Sequence, residues 1–230
     1  MTDVIKETSP RRSPTAGGYA RGEETRARII EAALKVFGEE GYERASTRQI
    51  AREAGVMPPA LQYYFDSKEG LHRACAEFII DIAAPMLFPT IEAAEAALAT
   101  GDPRAAVEAL CDVLDTIVDA SLFTTDAQYW STFSARVKGE EDSPGREVIE
   151  SRVTTPIRDI FSRLVACATQ SPVNDTVRLR GMTILSQVSA FNIHLQGSLQ
   201  AMDWPNFDGP RRDAVKAVLR AHTRAALGAY

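Results

Sequence analysis

An all-α fold is predicted by three observations. Amphipathic runs at helical spacing fill the chain from Glu23 onward, the breaks between them hold Pro, Gly and Asx residues, and no alternating strand pattern appears. The first 22 residues, MTDVIKETSPRRSPTAGGYARG, mix Pro, Ser, Gly and charge without an apolar period and are expected to form a disordered tail. From Glu23 the residues Ile29, Ile30, Ala33, Leu34 and Phe37 recur at helical spacing, and Gly41 supplies a stop. Ser46 and Gln49 frame a capping box that starts a short helix burying Ile50, Ala51 and Ala54 and ending at Gly55.

A second short helix is expected from Pro58. Proline is tolerated in a first helical turn, where the amide has no partner inside the helix, and Met57 before it is held extended. A long helix should then run from about Ser67 and break near Pro85. Further helices are expected over roughly 103–122, 126–138, 145–169, 173–200 and 208–227.

Composition bounds the function. At 230 residues, with 45% hydrophobic and 25% charged residues, the chain suits a globular protein of one or two domains. Its longest apolar run, FIIDIAAPMLFP, is broken by Asp81 and Pro85 and reads as too short to span a bilayer, and no export signal is recognised. A cytoplasmic location is expected. Cys75, Cys111 and Cys167 are odd in number and far apart, so they read as free thiols and not as a metal site. No metal, cofactor or catalytic constellation is expected; His72, His194 and His222 stand alone. The net charge of −5 is unevenly placed, with 12 Lys/Arg against 11 Asp/Glu in residues 1–73 and 14 against 20 in the remainder. That is compatible with nucleic-acid contact confined to the first third.

Two short helices joined by a tight Gly-containing turn, buttressed by an amphipathic helix, form a helix-turn-helix. The second helix is small enough to enter the major groove while the first crosses the backbone. The stretch STRQIAREAGVMPPALQYYFDSKEGL resembles the DNA-binding signature of TetR-family transcriptional regulators at Ser46, Thr47, Ile50, Ala51, Ala54, Gly55, Val56, Leu61, Phe65, Lys68 and Leu71. SPGREVIESRVTTPIRDIFSRLVA and AMDWPNFDG resemble the C-terminal domain of its CerR/CecR-like subgroup.

The resemblance implies a helix-turn-helix domain over 23–70 and a helical effector-binding and dimerisation domain over 71–230. It implies a homodimer on a pseudo-palindromic double-stranded DNA operator, paired through the helices at 173–200 and 208–227. A small-molecule effector would release this repressor by favouring splayed reading heads, with the helix from Ser67 as the lever. The DNA-binding residues it implies are Thr47, Arg48, Pro58, Pro59, Ala60, Gln62, Tyr63, Tyr64 and Lys68. Thr47, Tyr64 and Lys68 would sit on phosphates, Arg48 on a guanine edge, and Pro59 and Ala60 near a thymine methyl. Gln62 replaces the family's frequent Tyr and reads equally as an adenine contact or a phosphate contact. Leu61 and Phe65 would be core. Arg11, Arg12 and Arg21 read as solvated, with phosphate contact the alternative.

Phe123, Tyr129, Trp130 and Phe133 share helical spacing and read as core or as the wall of an effector cavity. His194 reads as a ligand partner or as a core or interface histidine, and Arg136 as a surface ion pair or as the counter-charge of an acidic effector. Two other classes stay open: a DNA-binding architectural protein without an effector, and a helical enzyme with an accessory helix-turn-helix.

Overall fold

The computed structural model describes residues 16–122, 127–192 and 195–228, with the side chains of 16–19, 121–122, 127–131, 190, 192 and 195–196 outside that description. Among the described residues there is no strand. The helices are α1 (Ala16–Glu40), α2 (Thr47–Glu53), α3 (Pro58–Phe65), α4 (Lys68–Thr100), α5 (Pro103–Leu122), α6 (Ala127–Gly139) and α7 (Arg146–Ile149). A π-helical segment, Glu150–Thr154, joins α7 to α8 (Thr155–Ala168), and α9 (Asp175–Asn192), α10 (Leu195–Ala201) and α11 (Gly209–Ala226) follow.

Two hydrophobic cores organise these helices. The head core gathers Ile29, Ile30, Leu34 and Phe37 of α1, Ile50 of α2, Leu61 and Phe65 of α3 and Leu71, Cys75 and Ile80 of α4. It also takes Phe133 and Val137 from α6 and Ile149 from α7, so the unit behind the helix-turn-helix draws on chain far beyond residue 70. The body core is built from Leu87 and Ala94 of α4, Leu110, Val113 and Leu114 of α5, Ile160, Phe161 and Leu164 of α8, Ile184 and Val188 of α9, and Val215 and Leu219 of α11. Cys75 and Cys111 are buried free thiols and Cys167 is half-buried.

Four expectations need correction. Helix α1 begins at Ala16, so 16–22 is helical and not a tail. Helix α4 does not break near Pro85 but runs on through Pro85 and Pro89 to Thr100. Each proline removes an amide donor, at a cost of about 3 kcal/mol in a regular helix interior. Both, however, are exposed and four residues apart, so the freed carbonyls of Asp81 and Pro85 lie on one solvent-facing stripe while Leu87 and Ala94 anchor the other. Unbroken, α4 is also long and apolar enough, by length and composition, to cross a bilayer. Its buried residues instead belong to the two cores. The expected single helix over 145–169 is interrupted by the π segment.

The body carries a ladder of ion pairs between antiparallel α5 and α11. Asp119 faces Arg212 at 3.8 Å and Lys216 at 2.6 Å, and Asp115 meets Arg220 at 2.8 Å. Arg220 also pairs with Asp112, and Arg224 reaches Glu108 at 2.7 Å. Hydrogen bonding to Arg224 holds the Glu108 carboxyl below its ordinary range.

The head is gripped at the C-terminal end of α1. Arg136 donates from Nε to the Gly38 carbonyl and from Nη2 to the Glu39 carbonyl, each at 3.2 Å. It therefore caps α1, and among the described residues it makes no ion pair, in place of the surface ion pair expected of it. The Tyr42 amide donates to Glu140 at 3.1 Å, and Gly41 beside it has φ 82°. A side chain there would run into the Glu140 carboxylate.

His72 is buried on α4, ringed by Phe37 at 4.6 Å, Phe133 at 4.8 Å and Tyr42 at 5.0 Å between centroids. Its Nδ1 accepts from the Gly145 amide at 3.0 Å. Burial, with a smaller push from the Lys68 ammonium, lowers its pKa to about 4. The unfolded imidazole, near its ordinary value, therefore binds protons that the folded one refuses between about pH 6.5 and 4. Stability from this site is intact above that window and is lost as pH falls through it, by about 2 kcal/mol between pH 7 and pH 5. Urea unfolding at both values checks this: His72→Gln should flatten the pH dependence by that amount, and an unaltered dependence would refute it. His222, by contrast, is exposed on α11.

Candidate DNA interface

Local chemistry sets the geometry of α2 and α3. Ser46, extended at φ −115°, accepts from the Gln49 amide at 3.2 Å and starts α2. Ile50 and Ala51 turn inward, and the helix closes with the Ala54 amide on the Ile50 carbonyl at 2.9 Å. The chain then reverses at Gly55, whose φ of 64° suits glycine, and the Val56 amide returns to the Ala51 carbonyl at 2.9 Å. Extended Met57 leads into Pro58 and Pro59, which occupy the first two helical positions of α3. The first amide after them, that of Ala60, bonds the Met57 carbonyl at 2.9 Å.

Helix α3 is buried at Leu61 and Phe65 and open on its opposite face. Pro58, Pro59, Gln62 and Tyr63 are exposed there, Tyr63 at 81%, while Ala60 and Tyr64 are half-buried. Tyr63 and Tyr64 meet edge to face at 5.1 Å. On α2, Thr47 is half-buried at the first turn and Arg48 is exposed with no partner among the described residues. One turn later Arg52 is exposed as well, beside Glu53. An unpaired guanidinium beside an exposed, rigidly backed helix is suited to reading phosphates and base edges.

Lys68, the first residue of α4, is already engaged. Its Nζ donates to the Glu43 carbonyl at 3.2 Å and lies 4.5 Å from the centre of the Tyr42 ring. Tyr42 in turn donates its hydroxyl to Glu69 at 2.7 Å; its own burial, then that bond, raises its pKa.

Three residues that position the interface were not singled out from the sequence. Arg28 of α1 donates to the Ala54 carbonyl at 3.2 Å, capping α2 at the turn. Arg26 stacks its guanidinium 5.3 Å from the Phe65 ring centre. Gly70 lets α4 pass the Phe65 carbonyl, which a side chain there would strike. The first two carry no local signal, because their partners lie tens of residues away.

The effector residues divide differently. Phe133 is fully buried in the head core, its ring 6.4 Å from Phe37 and 4.8 Å from His72, so it packs beneath the reading head, as the core alternative has it. The reason is its partner Val137, one turn along, which turns the same face of α6 onto α1. Tyr129 and Trp130 fall within α6, but their side chains lie outside the described residues, as do Phe123 and His194 altogether.

Residues 29–75 match the family described as bacterial regulatory proteins, tetR family. Residues 106–230 match the C-terminal domain of the HTH-type transcriptional dual regulator CecR. The CecR of Shigella flexneri is 32% identical over 206 residues, covering 88% of this chain and 91% of its own. Among solved structures, a TetR-like regulator from Rhodococcus sp. RHA1 superposes with a TM-score of 0.63 at 18% identity, covering 95% of this chain and 100% of that one. AibR, solved with isovaleryl coenzyme A and operator DNA, superposes with a TM-score of 0.62 at 16% identity, covering 86% and 97%.

Proposed function

The chain belongs to the TetR family of bacterial transcriptional regulators and carries a CecR-type C-terminal domain; from that premise we propose that it is a cytoplasmic homodimeric repressor, released from a pseudo-palindromic operator by a small molecule. The family is one of DNA-binding regulators and not of enzymes. The observation that carries the reading is the polarised α3, buried at Leu61 and Phe65 and open at Pro59, Gln62 and Tyr63.

In this reading the head over 23–70 inserts α3 into the major groove and the remainder, 71–230, binds effector and partner. Arg48 meets a guanine edge, Gln62 an adenine or a phosphate, and Pro58, Pro59 and Ala60 the groove floor near a thymine methyl. Thr47, Tyr63 and Tyr64 lie along phosphates. Pairing through α9 and α11 is supported by exposed Leu179 and Met182 on the one and Val218 on the other, apolar side chains that a second copy would cover. An effector site is supported by the ligand named with AibR, although the likeness to that structure is one of fold. The effector weakens DNA binding by its differential affinity for the two head arrangements.

Selection of bound DNA from a random pool by the full-length protein tests the reading. It should yield a two-fold symmetric site whose half-sites lie about one helical turn apart; a pool that never enriches would overturn it. Lys68 supplies a narrower test. Two of its three ammonium protons remain for a phosphate after the Glu43 bond. Lys68→Ala should weaken all sequences about equally and reduce the salt slope by about one. A slope that stays put would assign Lys68 to the Tyr42 ring alone.

A further inference from the structure

Head and body are joined by two described helical segments, and both lose regular hydrogen bonding where they pass from one core to the other. On α4 the last head-core residue is Ile80 and the first body-core residue is Leu87. Pro85 falls between them and Pro89 just beyond, so two amide donors are missing at the crossing. On the other segment Ile149 belongs to the head core and Ile157 to the body core. The π segment Glu150–Thr154 fills the interval. Val153, its fourth residue, packs against both cores. Arg152 of the π segment pairs with Asp81 of α4 at 3.4 Å, an exposed contact weak enough to yield. The remaining passage, from α5 in the body to α6 in the head, runs through 123–126, outside the described residues.

We propose that Glu150–Thr154 and the proline-bearing turn of α4 form one paired hinge, about which the head moves against the body without either core repacking. A π turn holds one residue more than the α-helix needs, so it can wind or unwind locally while its flanks keep their faces. The prolines do the same for α4 by removing bonds that would otherwise resist bending. Each core is close-packed and resists deformation, which leaves the interval between them as the soft place. The inference rests on the reading as an operator-binding dimer and adds where the heads pivot.

Two full-length variants test it. Pro85→Ala with Pro89→Ala returns donors to the carbonyls of residues 81 and 85 at exposed positions. Deletion of exposed Ser151 removes the extra residue of the π turn and keeps Ile149 and Ile157 on their present sides. Binding is measured to the selected operator and to one with a single base pair inserted between half-sites. Hinged heads follow the displaced half-site, whereas stiffened heads force the DNA to twist. Each variant should therefore lose roughly tenfold more affinity than the parent on the inserted site. Equal tolerance in parent and in either folded variant overturns the hinge, while failure to select any operator overturns the DNA-binding reading instead. Should the deletion not fold, hydrogen exchange on the parent decides. Amides of 150–154 should exchange faster than those of 157–165, and equal protection overturns the hinge.

Discussion

Arg48→Ala is expected to reduce operator affinity tenfold to a hundredfold while leaving folding and dimerisation intact. The guanidinium is exposed, without a partner among the described residues, and carried on a helix that Ser46 caps and Arg28 closes. Its loss removes nothing from either core. A bidentate pair with guanine discriminates by about 1–3 kcal/mol, so the deficit should appear on the cognate base pair and shrink on a mismatched one. Titration against the selected operator and against single-base variants separates the outcomes. A deficit equal on every sequence would make Arg48 a phosphate ligand, and none at all would remove it from the interface.

Phe133→Ala should lower global stability by about 3–5 kcal/mol, the range for truncating a fully buried aromatic ring. The ring lies between Phe37 and His72, so the cavity would open where α6 meets α1 and α4. Urea unfolding measures the loss. A side chain that only lined an effector cavity would cost far less in the protein alone, and a change below about 1 kcal/mol would return Phe133 to that role. Because the same ring flanks the buried imidazole, the variant should also narrow the difference in stability between pH 7 and pH 5.

The helix-turn-helix was legible because its determinants are local. Ser46, Gly55 and the proline pair each act within a few residues of themselves, through caps, a left-handed turn and a first helical turn. Leu61 and Phe65 fall four apart and turn inward as expected. What escaped the sequence depends on distant partners. Proline normally ends a helix, and only burial of Leu87 and Ala94 on the opposite stripe explains why α4 continues. The π segment leaves no trace in the pattern, since Ile149, Val153 and Ile157 are four apart and read as an ordinary helical face. The roles of Phe133 and Arg136 turn on which side of α6 meets α1, across almost a hundred residues of chain. Lys68 matched the family motif, yet its engagement with Tyr42 and Glu43 could not be read from spacing.

The ladder between α5 and α11 bears on how such a protein finds its site in a genome. Arg212, Lys216, Arg220 and Arg224 are cations that could otherwise gather DNA phosphates anywhere along the body. Held by Asp119, Asp115, Asp112 and Glu108, they have little counterion to release, and counterion release is what drives unspecific adsorption. Encounters with random sequence through α11 are thereby weakened, while Arg48 of the head is exposed without a partner among the described residues. A collision that presents α11 to the duplex is therefore brief and takes little from the operator.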